Sequence, residues 1–176
     1  MIVERLNQIA APDWIARAKD HLRVSDDAQA PLIQTMIAAT VTELEQYGQL
    51  ALLTQSIRVS LDRWPCADWL ALPIAPVINA GSVVITADGV PFTSFVVMTG
   101  LRPAVRLTDA RPDGVIVIGY SAGFGVNAAA IPADLSHAIL DQVLVLFDER
   151  GRVDAKSNGM SAHMARIVAR YRRVAL

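Results

Sequence analysis

The hydrophobic period along this 176-residue chain changes twice, and the order of the changes predicts an α+β fold. Residues 12–48 carry two helical stripes, residues 55–120 alternate like short antiparallel strands, and residues 132–150 return to a helical stripe. The expected architecture is an N-terminal helical hairpin and a third long helix packed with a small antiparallel β-rich middle. An extended basic C-terminal segment follows.

The first helix is expected to open at Pro12-Asp13, where proline and an acid suit the first turn. It sets Trp14, Ala18 and Leu22 on one side. The second opens after Asp26-Asp27, which suit an N-cap and the positive end of a helix. Its residues Ile33, Ile37, Thr40, Leu44 and Tyr47 are spaced by 4, 3, 4 and 3, one stripe of an amphipathic helix, and Gly48 is the expected stop.

Next, Ile57, Val59 and Leu61 alternate with Arg58, Ser60 and Asp62, the mark of a strand with one wet face. Shorter strands are expected at 69–72, 83–86, 95–98, 105–107 and 115–120, with turn signals between them at Asn79-Ala80-Gly81, Asp88-Gly89, Thr99-Gly100 and Pro112-Asp113-Gly114. So many short strands imply a compact antiparallel sheet or small sandwich. A third helix starts at Pro132-Ala133-Asp134, carries Leu135, Ala138, Ile139, Val143 and Leu146, and stops near Gly151. The hairpin, through Ile33, Ile37 and Leu44, is expected to pack on it at Ile139, Val143 and Leu146. Residues 151–159 read as a polar linker, and 161–171 as a last short helix.

Composition narrows the function classes. A chain of this length buries about 70% of its unfolded surface without needing disulfides or metals. Hydrophobic residues make up 53% and charged residues 19%, an apolar balance that favours burial between subunits. Residues 69–87 and 114–133 carry no Asp, Glu, Lys or Arg, yet prolines and glycines interrupt both, so neither reads as a membrane span. The single cysteine, Cys66, excludes an internal disulfide, makes a zinc site improbable and reads as a half-buried filler beside Pro65. Met1 to Arg5 has no secretory pattern, so synthesis in the cytoplasm is expected. Charge is uneven: Lys156, Arg166, Arg170, Arg172 and Arg173 lie in a stretch without an acid, whereas all 17 acidic residues precede it. A basic tail on a mildly acidic body suggests an acidic partner for the tail.

The motifs add a family resemblance. His21-Leu22-Arg23-Val24 with Asp26-Asp27 lies between the first two helices, and Leu52-Leu53-Thr54-Gln55 enters a strand closed by Trp64-Pro65. Leu70-Ala71-Leu72-Pro73 continues to Pro76-Val77, and Ser82-Val83-Val84-Ile85 leads into Asp88-Gly89. Tyr120-Ser121-Ala122-Gly123-Phe124-Gly125 ends the last strand, and Ile131-Pro132 opens a helix ending at Leu146-Phe147-Asp148-Glu149-Arg150. The chain closes on Tyr171-Arg172-Arg173-Val174-Ala175-Leu176. Taken in order over about 150 residues, these segments resemble the head–tail connector (adaptor) family of tailed phages and gene transfer agents. Residues 93–108 match no segment of that pattern.

The resemblance implies a structural subunit of a virion or gene-transfer-agent particle, placed at the head–tail interface and assembled in the bacterial cytoplasm. It implies a homo-oligomeric ring, a dodecamer, seated on the portal protein, extending the DNA channel and presenting a surface to stopper or tail proteins. DNA would pass without specific binding; no membrane, cofactor, metal or catalytic residue is implied. Residues 1–155 would form the connector domain and 156–176 the portal-docking segment, with Arg166, Arg170, Tyr171, Arg172, Arg173, Val174 and Leu176 as docking residues. Arginine forks suit carboxylates, Arg166 and Arg170 share a helix face, and Tyr171 adds an aromatic anchor. Deleting residues 166–176 is then expected to abolish docking and leave the fold intact.

One rival motif stands out. Gly119-Tyr120-Ser121-Ala122-Gly123 is a literal G-x-S-x-G, the nucleophile elbow of a small serine esterase, with His137 or His163 and Asp134, Asp141, Asp148 or Asp154 as candidate partners. The elbow needs a helix directly after Gly123, but Phe124-Gly125 follows, and the βα repeats of a hydrolase sheet are missing. Asp20, Asp26 and Asp27 lack a calcium-loop spacing and read as caps. Glu43 and Glu45, two apart on a helix, face different ways. His21, His137 and His163 show no ligand spacing and read as surface or capping residues.

Overall fold

A computed structural model describes residues 1–7, 11–150 and 159–172. The chain divides into two compact units, a β unit (Met1–Ile9 with Gln49–Val126) and a helical unit (Ala10–Gly48 with Asn127–Leu176). The expected boundary between residues 155 and 156 lies outside the described residues.

Among the described residues the β unit holds eight strands: β1 (Ile2–Arg5), β2 (Gln55–Leu61), β3 (Trp69–Ala71), β4 (Val84–Ala87), β5 (Val90–Phe92), β6 (Phe95–Met98), β7 (Ala104–Leu107) and β8 (Ile116–Ala122). They form an antiparallel five-stranded sheet, β1-β2-β8-β4-β5, and an antiparallel three-stranded sheet, β3-β7-β6. The alternation read in the sequence sets the faces. Ile57, Val59, Ile118 and Tyr120 are buried, and the register places Ile57 opposite Tyr120 and Val59 opposite Ile118. Ile85 extends this face from β4. Val105 and Leu107 of β7 join the same hydrophobic cluster, so the two sheets close on one core as a small sandwich. The unmatched residues 93–108 therefore supply two of the three strands of the second sheet.

Asp88-Gly89 forms the tight β4–β5 turn, with φ of 47° and 80°, the left-handed pair that a two-residue hairpin requires. Two strands were not anticipated. β1 lies at a sheet edge with little burial, and β5 contains Pro91, which removes a donor and fits only an edge. Cys66 is exposed rather than half-buried.

The segment Leu50–Gln55 is fastened to the chain after β8. Thr54 N–H donates to Gly125 O (2.9 Å), Phe124 N–H to Leu52 O (3.1 Å), and Gly123 N–H to Pro76 O (2.9 Å). Gly123 has φ +144°, and a Cβ there would lie 2.5 Å from the backbone of Leu53 and Thr54. The last glycine of G-x-S-x-G is thus required by close backbone approach.

In the helical unit, α1 (Ile15–Leu22), α2 (Ala30–Gly48), α3 (Ala133–Glu149) and α4 (Ala162–Tyr171) are the α-helices among the described residues. α1 starts later than Pro12-Asp13, after Trp14, and ends on Arg23 in the left-handed region. Asp26 accepts from Ala28 N–H (2.9 Å) at the head of a single 3-10 turn (Asp27–Gln29) that feeds α2. Asp27 pairs with Lys19 at 2.6 Å, and that hydrogen bond and charge hold its carboxyl below the usual range. Gly48 is the last residue of α2, and the left-handed stop is Gln49 (φ 54°). The expected stripe holds with one exception: Ile33, Ile37, Thr40 and Leu44 are buried, and Tyr47 is exposed. α2 packs on α3 as anticipated, with Ile139 and Val143 buried and Leu146 half-buried. None of the described helices is long and apolar enough to cross a membrane.

The Gly123→Ala variant is expected to lose about 3 kcal/mol in denaturant unfolding, because the new Cβ meets backbone at a positive φ. Gly119→Ala is the control: a Cβ there meets nothing within 4 Å. It should stay within about 1 kcal/mol of the parent. Equal losses in the two variants would contradict this reading of the motif.

Candidate docking segment

The expected docking residues begin on a helix that packs rather than extends. Ser161 caps α4, its Oγ accepting from Met164 N–H (3.2 Å), and Ser161 N–H donates to Gln142 Oε1 of α3 (2.7 Å). Met164, Ile167 and Val168 are buried, and α4 packs against α3 and α2. A deletion of residues 166–176 would therefore take Ile167 and Val168 out of the helical core. The expectation that it leaves the fold intact is corrected on that ground, since each buried aliphatic side chain is worth about 1.5–3 kcal/mol.

The named residues separate into three groups. Tyr171 and Arg170 turn to Asp134 of α3: the Tyr171 hydroxyl donates to Oδ1 at 2.7 Å, and Arg170 Nη1 lies 3.9 Å from Oδ2. Arg172 sits over the Tyr47 ring, 5.0 Å from its centroid, with its residue still exposed. Arg166 is exposed on α4. Arg173, Val174 and Leu176 lie outside the described residues. Burial, then the hydrogen bond and charge of Asp134, push the Tyr171 hydroxyl up to about 12, against a smaller opposing pull from Arg170.

A second feature of the same seam lay hidden in the sequence. Asp141, seven residues after Asp134, lies 3.1 Å from His21 Nε2, 3.2 Å from His137 Nδ1 and 3.9 Å from His163 Nε2. Asp134 meets residues 170 and 171 while Asp141 meets residue 163, so α3 and α4 run antiparallel with acids at matching one-heptad steps. The expectation that the three histidines are isolated is corrected here. They come from three helices, and only the i, i+4 pair His137 and Asp141 left a local signal.

The esterase geometry does not form. Ser121 lies inside β8, opposite Ser56 of β2, and no helix follows Gly123 directly; the next helical turn is Ala128–Ala130. Ser121 N–H donates to Ser82 Oγ (3.3 Å), as a strand residue beside a turn. Tyr120, two residues into the motif, is buried with its hydroxyl accepting from Ile74 N–H (3.0 Å), and burial raises its ionisation well above the usual tyrosine range.

No family model matches the chain, and no curated protein matches it. Among solved structures it is similar to a chain in the virion of a native gene transfer agent particle, with TM-score 0.80 and 23% identity. It is also similar to a chain in the neck of the empty particle computed with C6 symmetry (0.81, 22%) and to one in the neck of the native particle computed with C12 symmetry (0.77, 23%). Each comparison covers 100% of this chain and 97% of the other. At this identity the likeness establishes the fold, over its whole length.

Tyr171→Phe tests the α3–α4 seam. The raised ionisation means the Tyr171 contribution is complete below the unfolded value near 10 and is lost as pH rises toward about 12. The variant is expected to lose about 1 kcal/mol at neutral pH, discounted for a half-exposed hydroxyl, and to show a shallower fall in stability above pH ~10. Denaturant midpoints measured across the alkaline range check both; parallel curves for parent and variant would contradict the assignment.

Proposed function

We propose that the chain is a head–tail connector (adaptor) subunit that works by shape and surface complementarity and carries no catalytic site. The observation that carries this reading is the full-length match to chains of gene transfer agent necks, at TM-scores of 0.77–0.81. In this reading the subunits form a ring of twelve on the portal, extend the DNA channel and present an attachment surface to stopper or tail proteins. The C12 symmetry of one matched neck fits that number.

The surface of the β unit supports ring formation. Trp69, Val96 and Met98 are exposed on one face of the three-stranded sheet, with Arg106 between Trp69 and Val96 in register. Val90 on β5 and Ile2 on β1 are exposed at the two edges of the larger sheet. Apolar residues on open sheet edges invite association, and neighbours in a ring would cover them. The acidic body suits a wall past which DNA slides without being held.

For portal docking, the reading now rests on Arg166 and Arg172 together with Arg173, Val174 and Leu176, since Arg170 and Tyr171 are engaged with Asp134. A carboxylate-bearing partner is the expected match. The particle would be made in the bacterial cytoplasm and carry the chain at its head–tail interface.

Cells that make the particle without this chain should accumulate heads and tails that electron microscopy finds unjoined. Supplying the intact chain should restore joined particles. Supplying the Arg166→Ala, Arg172→Ala, Arg173→Ala variant should restore at least about tenfold fewer, with the fold unchanged by circular dichroism. Normal numbers of joined particles in its absence would overturn the function; full rescue by the triple variant would overturn the docking residues.

A further inference from the structure

The Asp141 cluster carries a ligand-binding inference independent of the neck reading. Side chains from α1, α3 and α4 meet at one partly exposed point. The donor atoms of His137, Asp141 and His163 all lie within 4.8 Å of one another. A tetrahedral zinc ion with ligands at about 2.0–2.2 Å would place its donors roughly 3.3 Å apart. His137 Nδ1 is already 3.2 Å from Asp141 Oδ2, and His163 Nε2 is 3.9 Å from the same oxygen. His163, on α4, is the ligand that would have to move inward to close the set.

His21 provides the second observation. Its Nε2 is buried and makes no hydrogen bond in proper geometry, although Asp141 Oδ1 is 3.1 Å away. One carboxylate thus faces three imidazoles, and the buried His21 nitrogen is left without a hydrogen bond to it. A cation bound at Oδ2 would leave Oδ1 for His21, the outer partner that orients a metal-bound carboxylate.

We propose that His137 Nδ1, His163 Nε2 and Asp141 Oδ2 bind a divalent transition cation of the zinc class, with His21 positioning the Asp141 carboxylate. Two imidazoles and one carboxylate favour zinc and its late first-row neighbours over calcium or magnesium, which require more oxygen donors. Three protein ligands leave one position for water or a further donor. Binding would tie α4 to α3 at the end of the seam opposite Asp134.

The test uses the intact chain without a polyhistidine tag, in a Cys66→Ser background so that the exposed thiol takes no part. Zinc ion alone is titrated calorimetrically and in thermal unfolding. One site per chain is expected, with a rise of about 5 °C in the unfolding midpoint under zinc excess. His137→Ala and His163→Ala should each weaken binding by more than about tenfold, and the double variant should lose the thermal shift. Both residues are partly or fully exposed, so the metal-free midpoint should hold. Should the double variant fail to fold, cobalt ion on the parent and on each single variant decides. Intense visible bands of a four-coordinate site in the parent alone support the proposal. The pale six-coordinate spectrum of aqueous cobalt in the parent, no zinc binding, or unchanged binding in the variants overturns it.

Discussion

Seven consecutive residue pairs between β2 and β8 organise the β unit. β8 is flanked by β2 on one side and β4 on the other, so its register sets which residues of three strands face the core. A shift of β8 by one residue would turn its Ile118 and Tyr120 together to the wet face, away from Ile57 and Val59. The end of the same strand then runs through Gly123 against the backbone of Leu53 and Thr54, where only glycine fits. A motif that reads as chemistry in one dimension is, in three, the fastening of this pairing.

The helical unit has its own organiser in α3, which packs against α1, α2 and α4. Burial decides its stability: Leu135, Ile139, Val143, Met164, Ile167 and Val168 are removed from water, and side chains like these contribute about 1.5–3 kcal/mol each. The partly exposed polar contacts of Asp134 and Asp141 contribute about 0–1 kcal/mol each. Their role is alignment, because acids seven residues apart on α3 meet partners at one end and the other of α4. Arg170 of the basic tail is thereby turned toward the fold, which narrows the arginines left for an outside partner.

The legible parts of the fold were those written in local periods. The stripe from Ile33 to Leu44, the alternation from Ile57 to Leu61 and the Asp88-Gly89 turn each depend on neighbours within a few residues. β1 and β5 were not legible, because an edge strand needs no buried alternation and tolerates Pro91. The helix stops at Arg23 and Gln49 use left-handed residues without glycine, which tertiary context sustains. At the candidate site the arginines were visible as a run, but their inward partners were not: Asp134 and Tyr171 are 37 residues apart, and His21 is more than a hundred residues from Asp141. Long-range meetings of polar groups leave no period to read.

As the connector subunit proposed above, the chain would add a layer of matching symmetry to a ring beneath it. The most direct measurement is the light-scattering mass of the intact chain mixed with the portal ring of its own particle, with each component alone as control. The account predicts a complex that gains one copy of the chain per portal subunit, whatever the mass of the free chain. No association at any ratio would contradict it.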